Sequence, residues 1–225
     1  MPDMDPVGWL DPEKRAAFRA RCREGIPEGY SGWAHLGATS AIGLGLVGAA
    51  VASIRALRPW DLAVVPAVFV LSNAIEWRAH KNVLHRRVPI LSTLYERHTP
   101  IHHRYFVTDD MSVEDHRGWR LVLIPPVGIA AVAVITAPIT LALALAGMRN
   151  KAALFVATSV AYVVLYEWLH LAYHLAPDNP IGGLSVIRWL RRHHATHHDP
   201  TLMQRWNFNV TVPLWDLVRG TYHTA

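Results

Sequence analysis

Arg191-Arg192-His193-His194-Ala195-Thr196-His197-His198-Asp199-Pro200 packs four histidines into six residues, more imidazole than a solvated loop or an apolar core needs. On a helix, residues three and four apart share a face, so His194, His197 and His198 project together over an arc of about 100°. Three neutral imidazoles aimed at one point outline a transition-metal site. Such a site needs partners from elsewhere in the chain.

Composition says what surrounds the cluster. With 225 residues, 52% hydrophobic and only 17% charged, the chain is too apolar for a soluble domain of its size and reads as partly dissolved in lipid. The single cysteine, Cys22, excludes a disulfide framework, and no secretory signal peptide is expected. The net charge of +5 reports topology in a membrane protein, so no nucleic-acid partner is expected. Of 22 basic residues only Lys14, Lys81 and Lys151 are lysine, a composition that suits a GC-rich bacterial genome.

Residues 1–33 form a polar, cytosolic or interfacial segment. Its basic run of Lys14, Arg15, Arg19, Arg21 and Arg23 suits a helix on a membrane surface or a solvated helix face equally. Residues 34–225 read as one membrane domain. Its four apolar segments, about 35–56, 60–80, 121–146 and 152–174, can each cross roughly 30 Å of hydrocarbon. Gly43, Gly45 and Gly48 in the first allow close helix packing. Pro125, Pro126 and Pro138 predict that the third is kinked, or a broken re-entrant pair. The stretches 81–120 and 175–225 are long and polar. They and the amino-terminal segment hold most basic residues, while the two short turns carry only Arg55, Arg58, Arg149 and Lys151. By the positive-inside rule both termini and the middle stretch are cytoplasmic. The expected fold is an all-α integral membrane protein of a bacterial inner membrane, four transmembrane helices with a cytosolic helical cap.

Every histidine group falls at or beyond that one membrane face. His80 and His85 end the second apolar segment, His98, His102 and His103 lie in the middle stretch, and His170 and His174 close the fourth segment. His170 and His174, at i,i+4, share a helix face as two ligands of one ion must. His80 and His85, at i,i+5, serve one ion only if the helix ends or bulges between them; otherwise they approach different ions. Ten histidines in four groups exceed the needs of one ion, and two ions with about five ligands each is the economical count. Glu76 and Glu167, charged groups within apolar helices, are expected to pair with a ligand histidine or an arginine. His35 and His223 read as helix-end or headgroup contacts. His116 reads as either a loop residue or a support for a ligand. The acidic run Asp109, Asp110, Glu114 and Asp115 reads as solvated or capping. Tyr162, Tyr166 and Trp168 read as packing residues.

His80-x4-His85, His98-x3-His102-His103, His170-x3-His174 and His194-x2-His197-His198 resemble the four histidine boxes of the fatty acid hydroxylase/sterol desaturase superfamily. The lead-in Glu76-Trp77-Arg78-Ala79-His80 is also similar, as is the closing run Asn207-Phe208-Asn209-Val210 through Pro213-Leu214-Trp215-Asp216 to Gly220-Thr221. The resemblance spans roughly residues 70–222. It departs at the second box, one residue longer than the common His-x2-His-His, and His193 competes with His194 by pairing with His197 at i,i+4.

The resemblance implies an integral membrane oxidoreductase with a cytosolic centre of two metal ions, usually iron, that turns O2 on C–H bonds. The implied ligands are His80, His85, His98, His102, His103, His170, His174, His194, His197 and His198. A purified sample can also carry zinc. The implied substrate is a membrane lipid, hydroxylated on an acyl or alkyl chain. Electrons would come from an external ferredoxin or cytochrome, because no haem or flavin motif is present and one cysteine cannot hold a cluster. Desaturation and sterol or carotenoid oxidation stay open as sister activities. A metal transporter is disfavoured because the histidines sit at span ends rather than mid-membrane. A zinc hydrolase is disfavoured because it needs only about three protein ligands per ion.

Overall fold

The computed structural model describes residues 7–224 and is helical throughout, with no β-strand among the described residues. In chain order the helices are α1 (Pro12–Glu24), α2 (Gly32–Ala52), α3 (Val64–Ala79), α4 (Ser92–Arg97), α5 (His103–Tyr105), α6 (Pro126–Leu145), α7 (Arg149–Tyr173), α8 (Ser185–His197) and α9 (Leu214–Arg219). Four stretches are long and apolar enough to cross a membrane: Gly32–Ala52, Pro59–Leu84, Gly118–Leu145 and Arg149–Tyr173. The second stretch runs past the expected end near 80 because a π turn extends it to Leu84. The third begins with a 3-10 turn, Gly118–Leu121, leaves helix over 122–125, and then runs as one helix, α6. Pro126 starts α6 at a position where a missing N–H costs nothing, and Pro138 is carried inside it.

The chain forms two compact units, described separately. One comprises Trp33–Ser72 and Leu123–Trp168. Here α7 is the interior helix: 56% of its apolar window is buried, against 11–17% for the other three spans. Phe69 meets Tyr162 edge-to-face at 5.3 Å. Trp168 donates to the Ser40 hydroxyl at 3.0 Å, so both aromatics pack as expected. The Glu167 carboxylate accepts the Ile124 amide at 2.9 Å, and His35 Nε2 lies 2.9 Å from the Ile124 carbonyl. Asn150 ties the two short turns by accepting the Arg55 amide and donating to its carbonyl. On α6, Val127, Val134, Ile135 and Leu145 are each about three-quarters exposed, a surface for lipid rather than water.

The three glycines expected to allow close packing divide. A Cβ on Gly43 would lie 2.3 Å from Val164 Cγ2, whereas Gly45 and Gly48 face open space. Valine is stiff at χ1 and cannot swing aside cheaply.

The other unit comprises the described residues up to Gly32 with Asn73–Val122 and Leu169 onward. Its α1 is capped by Asp11, which accepts the Glu13 and Lys14 amides. Two arginines of α1 are engaged in ion pairs rather than simply solvated. Arg19 and Arg23 pair with Asp110, Glu114 and Asp115, while Asp115 also caps the Arg117 and Gly118 amides.

Gly43→Val should destabilise the protein by about 1–3 kcal/mol through overpacking, while Gly45→Val should be tolerated. Thermal unfolding in detergent will compare them, and equal midpoints would remove the Gly43–Val164 contact as a constraint.

Candidate metal centre

Two π turns build the first half of the site. Helix α3 ends at Ala79, and His80–Leu84 follows as a π turn closed by the His85 N–H on the His80 carbonyl at 3.1 Å. The i→i+5 bond returns the chain to the same side after five residues, so the two rings stack with centroids 5.1 Å apart. The second π turn, His98–His102, does the same for His98 and His103, whose Nε2 atoms lie 3.0 Å apart. The extra residue of the second box is therefore structural. It repeats the x4 spacing of the first and leaves His102 aimed elsewhere.

The ten expected residues gather into two groups of five, each with its ligand atoms within 4.8 Å of one another. One is His80, His85, His98, His103 and His197; the other is His102, His170, His174, His194 and His198. All ten are buried. In the first group Nε2–Nε2 separations are 2.9 Å for His80–His98 and His85–His197, and 3.0 Å for His80–His197. In the second they are 3.2 Å for His102–His170 and 3.1 Å for His194–His198. The groups abut, the His103 and His198 rings stacking at 4.2 Å.

The outer ring nitrogens decide what these contacts mean. His80 Nδ1 lies against the Phe208 carbonyl, and those of His102, His174, His197 and His198 against the carbonyls of Leu121, Met111, Trp206 and Phe106 at 2.7–2.9 Å. A carbonyl can only accept, so each Nδ1 carries the proton and each Nε2 a lone pair. His85 Nδ1 lies 3.2 Å from the Thr99 hydroxyl, which itself donates to the Leu84 carbonyl. His80 and His197 thus turn bare lone pairs on each other at 3.0 Å. His174 Nε2, buried in the second group, has no hydrogen-bond partner. A cation resolves both. At metal–nitrogen distances of about 2.0–2.1 Å, ligands at right angles lie roughly 3 Å apart, which is the spacing found.

Burial keeps these rings neutral, as ligands must be. It holds His102 down at about 4, and His85, His98, His103, His174, His194, His197 and His198 well below the ordinary imidazole value, with the neighbouring imidazoles reinforcing the shift.

A family model described as fatty acid hydroxylase matches residues 65–221. This chain belongs to the fatty acid hydroxylase family. Among solved structures it is similar to full-length Scs7p, of which only the hydroxylase domain is visible. That likeness has a TM-score of 0.56 and 22% identity, covering 86% of this chain and 67% of that one. It supports the fold. No curated protein matches the sequence. Membership makes the protein a lipid hydroxylase in class, and its two histidine groups can each hold a metal ion.

One expectation about the tail of this hydroxylase changes. His194, His197 and His198 do not converge on one point: His197 joins the first group, and His194 and His198, one turn apart, join the second. Of His193 and His194, only His194 lies in one of the groups. His193 lies outside both groups, with Nε2 3.3 Å from Asp216 Oδ2 and its ring stacked on Tyr222. His116 is exposed, and the His223 ring packs on Trp206.

The sequence singles out Glu76 and the closing run but not how they hold the site, and it passes over Asn73: Glu76, expected on a ligand histidine or an arginine, binds the Val210 and Thr211 amides. The closing run 207–221 is a hydrogen-bonded plug in which Asp216 accepts the Phe208 and Asn209 amides and the Thr221 hydroxyl. Burial alone would raise the Asp216 carboxyl; the adjacent His193 ring and the bonds from Thr221 and the Asn209 amide outweigh it and hold the pKa below the ordinary value. Asn73 on α3 accepts the Trp215 amide and donates to the Val212 carbonyl. The Glu76 carboxylate accepts the amides of Val210 and Thr211 and the Thr211 hydroxyl. It therefore acts on His80 through backbone, by fixing the segment that presents the Phe208 carbonyl. The available signal was a buried asparagine in an apolar helix, which demands partners.

His197→Ala and His174→Ala should each lower bound metal by about one ion per chain by elemental analysis, whereas His193→Ala should leave it unchanged. Equal loss in all three would undo the partition. Glu76→Gln should destabilise by about 1–3 kcal/mol, as expected for weakened buried carboxylate bonds, and a melting curve identical to that of the unaltered protein would contradict the anchoring role.

Proposed function

We propose that the two histidine groups hold two iron ions, and that the protein hydroxylates an acyl or alkyl chain of a membrane lipid using O2 and electrons from an external carrier. The observation that carries this reading is the pair of abutting quintets of buried, neutral imidazoles with their Nε2 lone pairs opposed. Five imidazoles per ion exceed the four of a structural zinc site and the roughly three of a zinc hydrolase. When bound, the metal pair supplies the redox chemistry that O2 needs to attack an unactivated C–H bond.

The protein's own part is positional. His80, His85, His98, His103 and His197 would hold one ion, and His102, His170, His174, His194 and His198 the other. Backbone carbonyls on Nδ1 fix the tautomer of five of these rings, so no proton has to leave a ligand when metal enters. Burial of the whole shell keeps bulk water off the reacting atoms. Four apolar helices favour a substrate that is itself dissolved in the bilayer.

The distribution of arginine supports a bacterial inner-membrane location with both termini cytoplasmic, where an acidic ferredoxin or cytochrome would find a complementary surface. Lipid mass spectrometry of a host with and without the gene should show one lipid class gaining a single oxygen atom. Loss of two hydrogens instead would make the protein a desaturase, and an unchanged lipid profile would overturn the oxygenase reading.

A further inference from the structure

Helix α1 lies outside the residues matched by the family model, yet it is fastened to the segment that supports one of the two histidine groups. Arg15, Arg19 and Arg23 recur every four residues and so share one face of α1. Arg19, its side chain only 13% exposed, makes a three-way fork: Nε donates to the Tyr105 carbonyl at 2.8 Å, Nη1 to the Asp110 carboxylate at 2.5 Å and Nη2 to the Asp110 carbonyl at 2.8 Å. Arg23 binds Glu114 at 2.7 Å and Asp115 at 2.6 Å. Arg15 stands 3.8 Å from Asp110. An exposed ion pair is worth little, but a mostly buried guanidinium on a carboxylate and two carbonyls fixes backbone.

The backbone it fixes is the stretch 105–115. Within it the Phe106 carbonyl accepts from His198 Nδ1 at 2.7 Å and the Met111 carbonyl from His174 Nδ1 at 2.8 Å. The Val113 amide returns a bond to the His174 carbonyl at 2.8 Å. Both histidines belong to the second group. The ring supports identified for the first group lie elsewhere, on the carbonyls of Phe208 and Trp206 and the hydroxyl of Thr99.

We infer that α1 is a latch for the second group: Arg19 and Arg23 are positioning residues that set the affinity of the ion held by His102, His170, His174, His194 and His198. The latch acts on ligands through the carbonyls of Phe106 and Met111 and touches neither ion. Loss of such outer supports typically weakens metal binding by roughly 10–100-fold. The inference rests on the two-ion reading above.

The test uses the full chain in detergent, loaded anaerobically with ferrous iron and titrated with a competing chelator. Unaltered protein should release its ions at high chelator. Arg19→Ala should release one ion at roughly 10–100-fold lower chelator and keep the other. Arg19→Lys, which keeps charge but loses the fork, should fall between. Placed in His197→Ala, whose remaining ion sits in the second group, Arg19→Ala should weaken that ion; placed in His174→Ala it should not. If Arg19→Ala does not fold, Arg23→Ala and the charge exchange of Arg23→Asp with Asp115→Arg give the same readout, with the exchange expected to restore retention. Unaltered protein that retains no iron would remove the two-ion centre itself. Two retained ions that Arg19→Ala and Arg23→Ala leave unchanged, or shed together, would remove the latch alone.

Discussion

An N–H from each of five buried imidazoles to a backbone carbonyl is the interaction on which the site depends. It decides, for those five rings, which nitrogen carries the proton and which lone pair points inward, an array suited to a cation. Without those carbonyls the His80 and His197 rings could flip or exchange protons, and their opposed nitrogens at 3.0 Å could settle as an ordinary hydrogen bond. With them, the two lone pairs face each other within a hydrogen-bonded frame that spreads the cost.

That requirement explains why the histidine-bearing unit draws on distant pieces of sequence. The carbonyls come from residues 106, 111, 121, 206 and 208, and every one must be held against recoil. The plug 207–221 is held by Asp216 from within and by Asn73 and Glu76 on α3. Asn207, at φ 58°, donates to the His193 and His223 carbonyls and turns the chain at the one place where α8 and the plug must meet. These residues do no chemistry. They convert a set of flexible rings into a fixed array.

Much of this was legible beforehand because its signals are local or compositional. Long apolar runs give spans, and x3 spacing in His170–His174 gives a shared face whatever the tertiary context. What stayed hidden depends on backbone geometry away from the ideal helix. The i,i+5 pairs are ambiguous until a π turn is seen, and the second box looked anomalous for that reason alone. His194, His197 and His198 looked convergent because an arc of about 100° is compatible with one target, yet it is equally wide enough to serve two adjacent ones. Of the prolines expected to break the third span, Pro125 and Pro126 mark where the chain re-enters helix after 122–125, while Pro138 is carried inside α6. The arginines of α1 gave no hint of their partners, since the acidic run they bind lies some 90 residues away.

The two π turns carry a historical consequence. A π turn is an α turn with one residue too many, so each is one codon's insertion away from regular helix. Removing a residue between His80 and His85, or between His98 and His103, would swing the later ring by about 100° and carry it away from its group unless the turn changes with it. The second of these windows is where this chain is one residue longer than the box it resembles, so its π turn is the mark of that extra residue. A change of length in either window bears on the ring array as directly as the substitution of a ring.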